Sequence, residues 1–172
     1  MLMLLKLLQQ LVATLNSEGT PRQVAAGMAL GAVLGLTPLL NLHNLVMLGI
    51  IMVFNVSFPG AMLGCALAIP VGFALDPAFD ALGRALLLDT PALTPLWTRL
   101  ANTPVVPLTN FNNTVVLGSL VAWAVLAIPI YFLARWGVDR YRTRVYARLK
   151  ESRVFQAITA SKLYNVYRLF QP

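Results

Sequence analysis

Residues 114–134 read TVVLGSLVAWAVLAIPIYFLA, a run of 21 residues without a charged side chain. An α-helix rises about 1.5 Å per residue, so about 20 apolar residues cross the roughly 30 Å hydrocarbon core of a bilayer. Pro129 lies in the last third of the run, and membrane helices tolerate proline. Trp123 and Trp136 are placed where aromatic side chains anchor at membrane interfaces. The stretch therefore predicts a transmembrane helix.

The composition of the whole chain agrees with this prediction. Of its 172 residues, 58% are apolar and only 11% are charged, and the mean hydropathy is +0.73. Soluble domains carry about 25% charged residues. We therefore expect an all-α, polytopic helical membrane protein with short or re-entrant helices and amphipathic interfacial helices. The expected organisation is a membrane domain over residues 1–134 and a tail over residues 135–172.

The basic charge of the chain is confined to that tail. Residues 135–172 contain nine basic and two acidic side chains, a net charge of +7, whereas residues 1–134 contain four of each. Lys and Arg resist translocation across a bilayer, so the tail is predicted to be a cytoplasmic amphipathic helix on anionic lipid rather than a nucleic-acid-binding segment. The expected headgroup contacts are Arg135, Arg140, Arg142, Arg144 and Arg148.

A second span is predicted over residues 58–75, which are apolar and long enough to cross. Residues 76–113 differ, because they contain five charged side chains and five prolines. We interpret this region as short interfacial helices and loops on the non-cytoplasmic face. Asp76 is followed by Pro77, an order typical of a helix N-cap, and Asp80 would then lie in the first turn.

The two apolar stretches 24–36 and 45–54 are each too short to cross a bilayer. Between them lies a polar turn that contains the helix-breaking Pro38. This pattern predicts a re-entrant hairpin over residues 21–54, which enters and leaves by the same face. Two thin, tilted spans are the alternative. One hairpin and two crossings place both termini in the cytoplasm.

The start of the chain predicts two further helical features. Residues 1–16 are amphipathic, and Gln9 and Gln10 interrupt the apolar run that a cleaved signal peptide needs. A retained interfacial helix is therefore expected. Residues 20–23 read TPRQ, which has the form of a capping box with proline at the first helical position.

A ridge of small residues follows in the predicted helix. Glycine recurs every four residues, at Gly27, Gly31 and Gly35. Such a ridge lets another helix approach closely in lipid, so these glycines are predicted helix-packing residues.

An asparagine-rich motif occurs twice. Residues 41–49 read NLHNLVMLG and residues 110–118 read NFNNTVVLG, and a Thr-Pro pair precedes each motif. Asparagine commonly caps helices, so both motifs are explained by helix initiation alone. The functional alternative is an internal repeat whose two turns form one polar site, with broken helices directing their positive ends at a ligand. The candidate site residues are Asn41, His43, Asn44, Asn110, Asn112 and Asn113.

The residues expected of an enzyme are not grouped in the sequence. His43 is the only histidine, which excludes a multi-histidine metal site, and no glycine-rich phosphate loop or nucleophile motif is present. We therefore predict no catalytic residue, no metal site, no cofactor and no enzymatic activity.

Several motifs resemble a known bacterial family. They are TPRQVAAG at 20–27, ALG at 29–31, LGLTP at 34–38, NLHN at 41–44 and FNNTVV at 111–116. Over residues 17–140 the chain is similar to the domain-of-unknown-function 2062 family, in its conserved-hypothetical proteobacterial branch. The resemblance implies a small, multi-pass protein of the bacterial inner membrane. It implies no activity, although a link of some relatives to glycosyltransferase-like domains hints at envelope lipid metabolism.

Three functions are compatible with these features. The first is non-enzymatic transport of envelope lipid or another amphiphile, or its support, with membrane lipids of the anionic leaflet as partners. The second is a structural subunit that docks a larger envelope protein. The third is a small-solute channel. Nucleic acid is not expected as a partner, and assembly into a homo-oligomer is left open.

Overall fold

A computed structural model describes residues 19–38 and 41–146 of the chain. In those ranges all regular structure is helical, which confirms the predicted all-α class for that part. Short 3₁₀ turns precede and follow α4, and a π-helical segment, Tyr141–Tyr146, follows α5. The predicted helix 1–16 and most of the basic tail, with Arg148, lie outside the described residues. The helices are α1 (Pro21–Leu36), α2 (Leu42–Val53), α3 (Phe58–Leu87), α4 (Thr94–Ala101) and α5 (Thr114–Arg140).

The predicted capping box begins α1. The Thr20 side chain accepts a hydrogen bond from the Gln23 N–H, and the Gln23 side chain accepts one from the Thr20 N–H at 2.8 Å. These two bonds satisfy donors that a helix start leaves without partners. The helix ends at Leu36, because Thr37 is extended and the following Pro38 has no N–H to continue the pattern.

Helices α1 and α2 form an antiparallel hairpin. At its closed end the Thr37 hydroxyl lies 2.9 Å from the Asn44 side-chain oxygen. At its open end the Gln23 side chain donates to Asn55 at 2.9 Å. Helix α2 begins at Leu42, three residues before the predicted start, because the asparagine-rich segment joins the helix. Entry of this hairpin into a membrane from one face stays a prediction.

The helix that contains the predicted second span extends beyond residue 75, where the sequence predicts an N-cap and a new element. Helix α3 continues through Asp76 and Pro77 to Leu87, so Asp76 lies inside a helix and is not an N-cap. Pro77 removes one helical hydrogen bond, the donor to the Phe73 carbonyl. Packing beyond the proline outweighs this loss, since Phe79 and Gly83 are buried against α5.

Helices α1 and α3 run parallel with their backbones in close contact. The contacts advance in the same direction, from Gly27 against Ser57 to Gly31 against Ala61 and Gly35 against Cys65. A methyl group at any of the three glycines would overlap a backbone carbonyl oxygen of α3. Glycines of α3 meet α1 in the same way, so both surfaces consist of backbone. The glycines of α3 in this contact are Gly60, Gly64 and Gly72.

Helix α5 returns antiparallel to α3 and completes the bundle around α1. Gly118 lies against the backbone of Phe79, and Gly83 lies against the backbone of Thr114. Trp123 is partly buried against the core and donates from Nε1 to the Ala29 carbonyl at 2.8 Å, so its indole N–H is bonded inside the bundle and the predicted role as an interfacial anchor is wrong. The helix also passes the predicted boundary at residue 134 and ends at Arg140, since no helix-breaking residue intervenes.

The segment between α3 and α5 is shorter than predicted and covers one end of the bundle. Trp97 of α4 donates to the Leu86 carbonyl at 2.9 Å and lies 6.1 Å from the Phe111 ring, measured between centroids. Val105 has a φ of 77°, a backbone region that a β-branched residue rarely adopts. This turn brings the second asparagine-rich motif over the closed end of the α1–α2 hairpin, where it contacts the first.

Candidate functional site

The two asparagine-rich turns contact each other. The Asn110 side chain donates a hydrogen bond to the Asn41 side-chain oxygen. Beside this pair, His43 Nδ1 lies 3.2 Å from the Thr109 carbonyl oxygen. The two motifs are 69 residues apart in sequence at this contact, so the tertiary fold joins them.

Two of the predicted site residues have structural partners. Asn44 is buried, accepts from the Thr37 hydroxyl and donates to the Pro38 carbonyl at 2.8 Å. Asn113 is the N-cap of α5, and its side chain accepts from the Val116 N–H at 3.2 Å. The capping interpretation therefore holds for Asn113, and Asn44 closes the hairpin.

Four of the predicted asparagines line an open depression of about 510 Å³ at the junction of the turns: Asn41, Asn110, Asn112 and the cap residue Asn113. Asn110 and Asn112 are exposed there, and Asn41 is half-buried. The wall is completed by Pro38 and by the start of α5. The depression thus presents side-chain amides, which both donate and accept hydrogen bonds. We name it the Asn depression.

The two motifs are not equivalent in structure, although they align in sequence. In the first motif the helix begins directly after Asn41, whereas in the second it begins three positions later, directly after Asn113. The aligned glycines differ too, since Gly49 has open space around it and Gly118 is packed against Phe79. The two turns therefore meet without being structural copies.

His43 is half-buried and lies outside the two long apolar helices. Its Nε2 atom is buried and has no hydrogen-bond partner among the described residues. Burial lowers the pKa of His43 below its usual value of 6.5, and the bond to the Thr109 carbonyl opposes this only in part. Nδ1 carries the proton in the neutral ring, since it faces a carbonyl oxygen, so a second proton would place a buried charge on Nε2.

This lowered pKa predicts a dependence of stability on pH. Above about pH 6.5 the ring is neutral in both states, and stability does not depend on it. As the pH falls below that value the unfolded chain binds a proton that the folded chain binds less readily, so the free energy of unfolding decreases. Unfolding titrations between pH 8 and pH 5 should show this decrease, and the His43→Gln variant should show a smaller one. Equal pH profiles for both proteins would contradict the prediction.

A second, apolar groove lies beside the Asn depression, and Pro38 lines both. It has a volume of about 530 Å³ and lies between the end of α1, the middle of α3 and the start of α5. Leu36, Ile69, Phe73 and Val115 are among its apolar residues, and of the described residues that line it Asp76 alone is charged. We name it the Asp76 groove. The sequence does not predict this groove, because Asp76-Pro77 has the pattern of a helix N-cap; the one signal for it is a carboxylate between two apolar stretches.

The predicted headgroup residues lie at the opposite end of the bundle. Arg142 donates to the Gly19 carbonyl at 2.8 Å, so the end of α5 meets the start of α1. The Arg140 guanidinium lies over the Trp136 ring, 5.1 Å from its centroid, and Arg135 is 3.9 Å from the Asp139 carboxylate. Arg144 is exposed. These arginines form a basic end, in which Arg142 and Arg135 also hold structural contacts.

The similarity to known proteins covers most of the chain. A bacterial family described as "Uncharacterized protein conserved in bacteria (DUF2062)" matches residues 5–146. The chain belongs to this family. This DUF2062 protein is also similar to a protein from Treponema pallidum (strain Nichols), which is described as an uncharacterized protein. The two are 31% identical over 153 residues, which is 88% of this chain and 93% of the relative. No solved structure matches the chain.

Proposed function

We propose that this DUF2062 protein is a non-enzymatic protein of the bacterial inner membrane that binds and helps to move an envelope lipid or another amphiphile. The Asn depression would contact the polar part of the ligand, and the adjoining groove would contact its hydrocarbon. The observation that carries the proposal is the position of Pro38, which lines both the polar depression and the apolar groove. A molecule with one polar and one apolar part fits such a pair of adjoining surfaces.

The surface of the bundle supports a membrane location. Helices α3 and α5 are long and apolar enough to cross a bilayer. Only 28% of the most apolar window of α3, and 22% of that of α5, is buried inside the protein. The core helix of a soluble protein would be mostly buried, because exposed apolar surface is unfavourable in water. Lipid is therefore the solvent that best suits these two helices.

The distribution of charge supports an orientation. The basic end holds the start of α1 and the end of α5, and the Asn depression lies at the other end of α1. Sixteen helical residues separate the two ends, a distance of about 24 Å. Placing the arginines at the cytoplasmic leaflet would place the Asn depression near the opposite side of the hydrocarbon core. This orientation includes two crossings by α3 and α5, a re-entrant α1–α2 hairpin and cytoplasmic termini.

The test is whether lipid stays with the purified protein and depends on the Asn depression. The protein is purified in a mild detergent, and the retained lipids are identified and counted by mass spectrometry. The double variant Asn110→Ala, Asn112→Ala is expected to retain several-fold less lipid than the wild type, because both side chains lie at the polar wall.

A matched control is Asn102→Ala, which removes an exposed asparagine that caps the end of α4, donates to the Thr98 carbonyl and is not among the residues that line the depression. It is expected to retain lipid as the wild type does. Equal retention by the double variant and the control, with unchanged folding, would show that the turns serve only as caps.

An interaction subunit is the second candidate, and the exposed face of α2 favours it. Leu45, Val46, Met52 and Val53 form one apolar stripe on this short helix. Such a stripe suits a helix of another envelope protein as well as lipid. A protein that co-purifies in a fixed ratio, and that is lost when Leu45 and Met52 are changed to serine, would favour this candidate over lipid handling.

A further inference from the structure

The Asp76 carboxylate lies in an apolar groove and forms no ion pair with the residues that the structure describes. In residues 19–38 and 41–146 the carboxylates that form ion pairs are Asp80, with Arg84, and Asp139, with Arg135. Asp76 belongs to neither pair and lines the groove from the middle of α3. A carboxylate in apolar surroundings is unfavourable unless it is paired, and within a membrane helix such a group usually faces a ligand or a pathway.

Two backbone carbonyls that border the groove have lost their usual helical donors. Pro38 has no N–H for the carbonyl of Leu34, and Pro77 has none for the carbonyl of Phe73, because each proline lies four residues farther along the chain. Leu34 and Phe73 both line the groove. Two residues of the groove lining thus carry a backbone carbonyl that the helical pattern leaves without its usual donor.

The end of α1 adds further negative character. Leu34 to Thr37 form the last turn and C-cap of α1, and they line the same groove. The C-terminus of a helix carries a partial negative charge from its carbonyl groups. The carboxylate, the carbonyls and the helix end thus all favour a cation, and the remaining wall favours hydrocarbon.

We propose that the Asp76 groove binds the primary ammonium group of a membrane lipid, with the hydrocarbon of that lipid along its apolar wall. An ammonium group has three N–H donors, which suit one carboxylate and two carbonyl oxygens. The occupant is a lipid whose headgroup ends in a primary amine. This inference rests on the proposed function, since it names the class of amphiphile that the protein handles.

The experiment compares ligands with one chain length and different headgroups. Full-length protein in dodecyl maltoside is titrated with dodecylammonium, dodecyltrimethylammonium or dodecanol. The rise in the midpoint of thermal unfolding gives an apparent dissociation constant for each, because a ligand of the folded state stabilises it. We expect dodecylammonium to bind at least about tenfold more tightly than dodecanol. Dodecyltrimethylammonium has the charge without the donors and should bind with intermediate affinity.

Two variants, each of which removes one carboxylate charge, test whether Asp76 is the source of the preference for ammonium over alcohol. Asp76→Asn keeps the shape of the side chain and should reduce the preference for ammonium over alcohol to about twofold or less. Asp89→Asn is the matched control, since Asp89 is exposed and follows the end of α3. It should keep the preference of the wild type. A preference that persists in Asp76→Asn overturns the inference.

A groove-filling variant keeps the test informative if Asp76→Asn is poorly folded. Ile69→Trp adds bulk to the apolar wall and should weaken the binding of all three ligands several-fold. Wild-type protein that binds all three equally overturns the ammonium inference and leaves the proposed function standing. Wild-type protein that binds none of them, and that retains no lipid on purification, contradicts the proposed function itself.

Discussion

Gly31→Ala is expected to lower the free energy of unfolding by about 3 kcal/mol or more, near the upper end of overpacking costs. An added methyl group would overlap the carbonyl oxygen of Ala61 and lie 2.7 Å from the Ala61 Cα. Both atoms belong to the backbone of α3, so no side-chain rotation relieves the overlap. The helices would have to separate, and α1 packs along α3 by such contacts over most of its length.

The measurement is reversible unfolding in mixtures of dodecyl maltoside and sodium dodecyl sulfate, followed by far-ultraviolet circular dichroism. Gly49→Ala and Gly137→Ala are matched controls, because each glycine lies in a helix and nothing lies within 4 Å of an added methyl group. Each control is expected to leave stability unchanged or to raise it by about 0.5–1 kcal/mol, since glycine weakens a helix interior. A Gly31→Ala protein as stable as these controls would show that α1 and α3 are not in backbone contact.

Asn44→Leu is expected to lower the free energy of unfolding by about 2 kcal/mol, at roughly 1 kcal/mol for each of two hydrogen bonds. Its side chain accepts from Thr37 and donates to the Pro38 carbonyl, which together fix the closed end of the α1–α2 hairpin. Leucine has a similar size and restores neither bond. The loss stays moderate because the Thr37 hydroxyl and the Pro38 carbonyl each keep a second partner.

Asn112→Leu is the control for this change, since Asn112 is exposed in the Asn depression. The same unfolding assay should report a stability within about 0.5 kcal/mol of the wild type, as for most surface substitutions. Equal losses in the two variants would show that leucine itself, rather than the hairpin bonds, disturbs the fold. The comparison also separates asparagines with a structural role from those available to a ligand.

Several elements could be predicted from local chemistry. The capping box of α1 follows from Thr20 and Gln23 alone, because its two bonds join residues three positions apart. The start of α5 at Thr114 follows from the change from polar to apolar residues. The packing role of the α1 glycines follows from their spacing of four residues, and α3 repeats this spacing at Gly60 and Gly64, with Gly72 eight residues farther on.

Two predictions from the sequence fail, one for Asp76 and one for Trp123, because tertiary contacts compensate for an unfavourable local pattern. Asp76-Pro77 reads as a helix start, yet α3 continues because its second half packs on α5. Trp123 reads as an interfacial anchor, yet the Ala29 carbonyl lies within reach in the folded bundle. Sequence propensities correctly indicate that a proline inside a helix, or an indole N–H removed from water, is unfavourable. They do not include the tertiary packing and hydrogen bonds that offset this loss.

By itself the sequence determined the helical class, the apolar long helices, the turn after α1 and the confinement of basic charge to one end. Each of these depends on residues that are close together in the chain, so composition and periodicity are sufficient. Only the tertiary structure decided that Asn41 meets Asn110 and that Asp76 faces a groove beside them. These features depend on how α1, α3 and α5 approach, and that geometry is set by close contacts of glycines with the backbone of residues far apart in sequence.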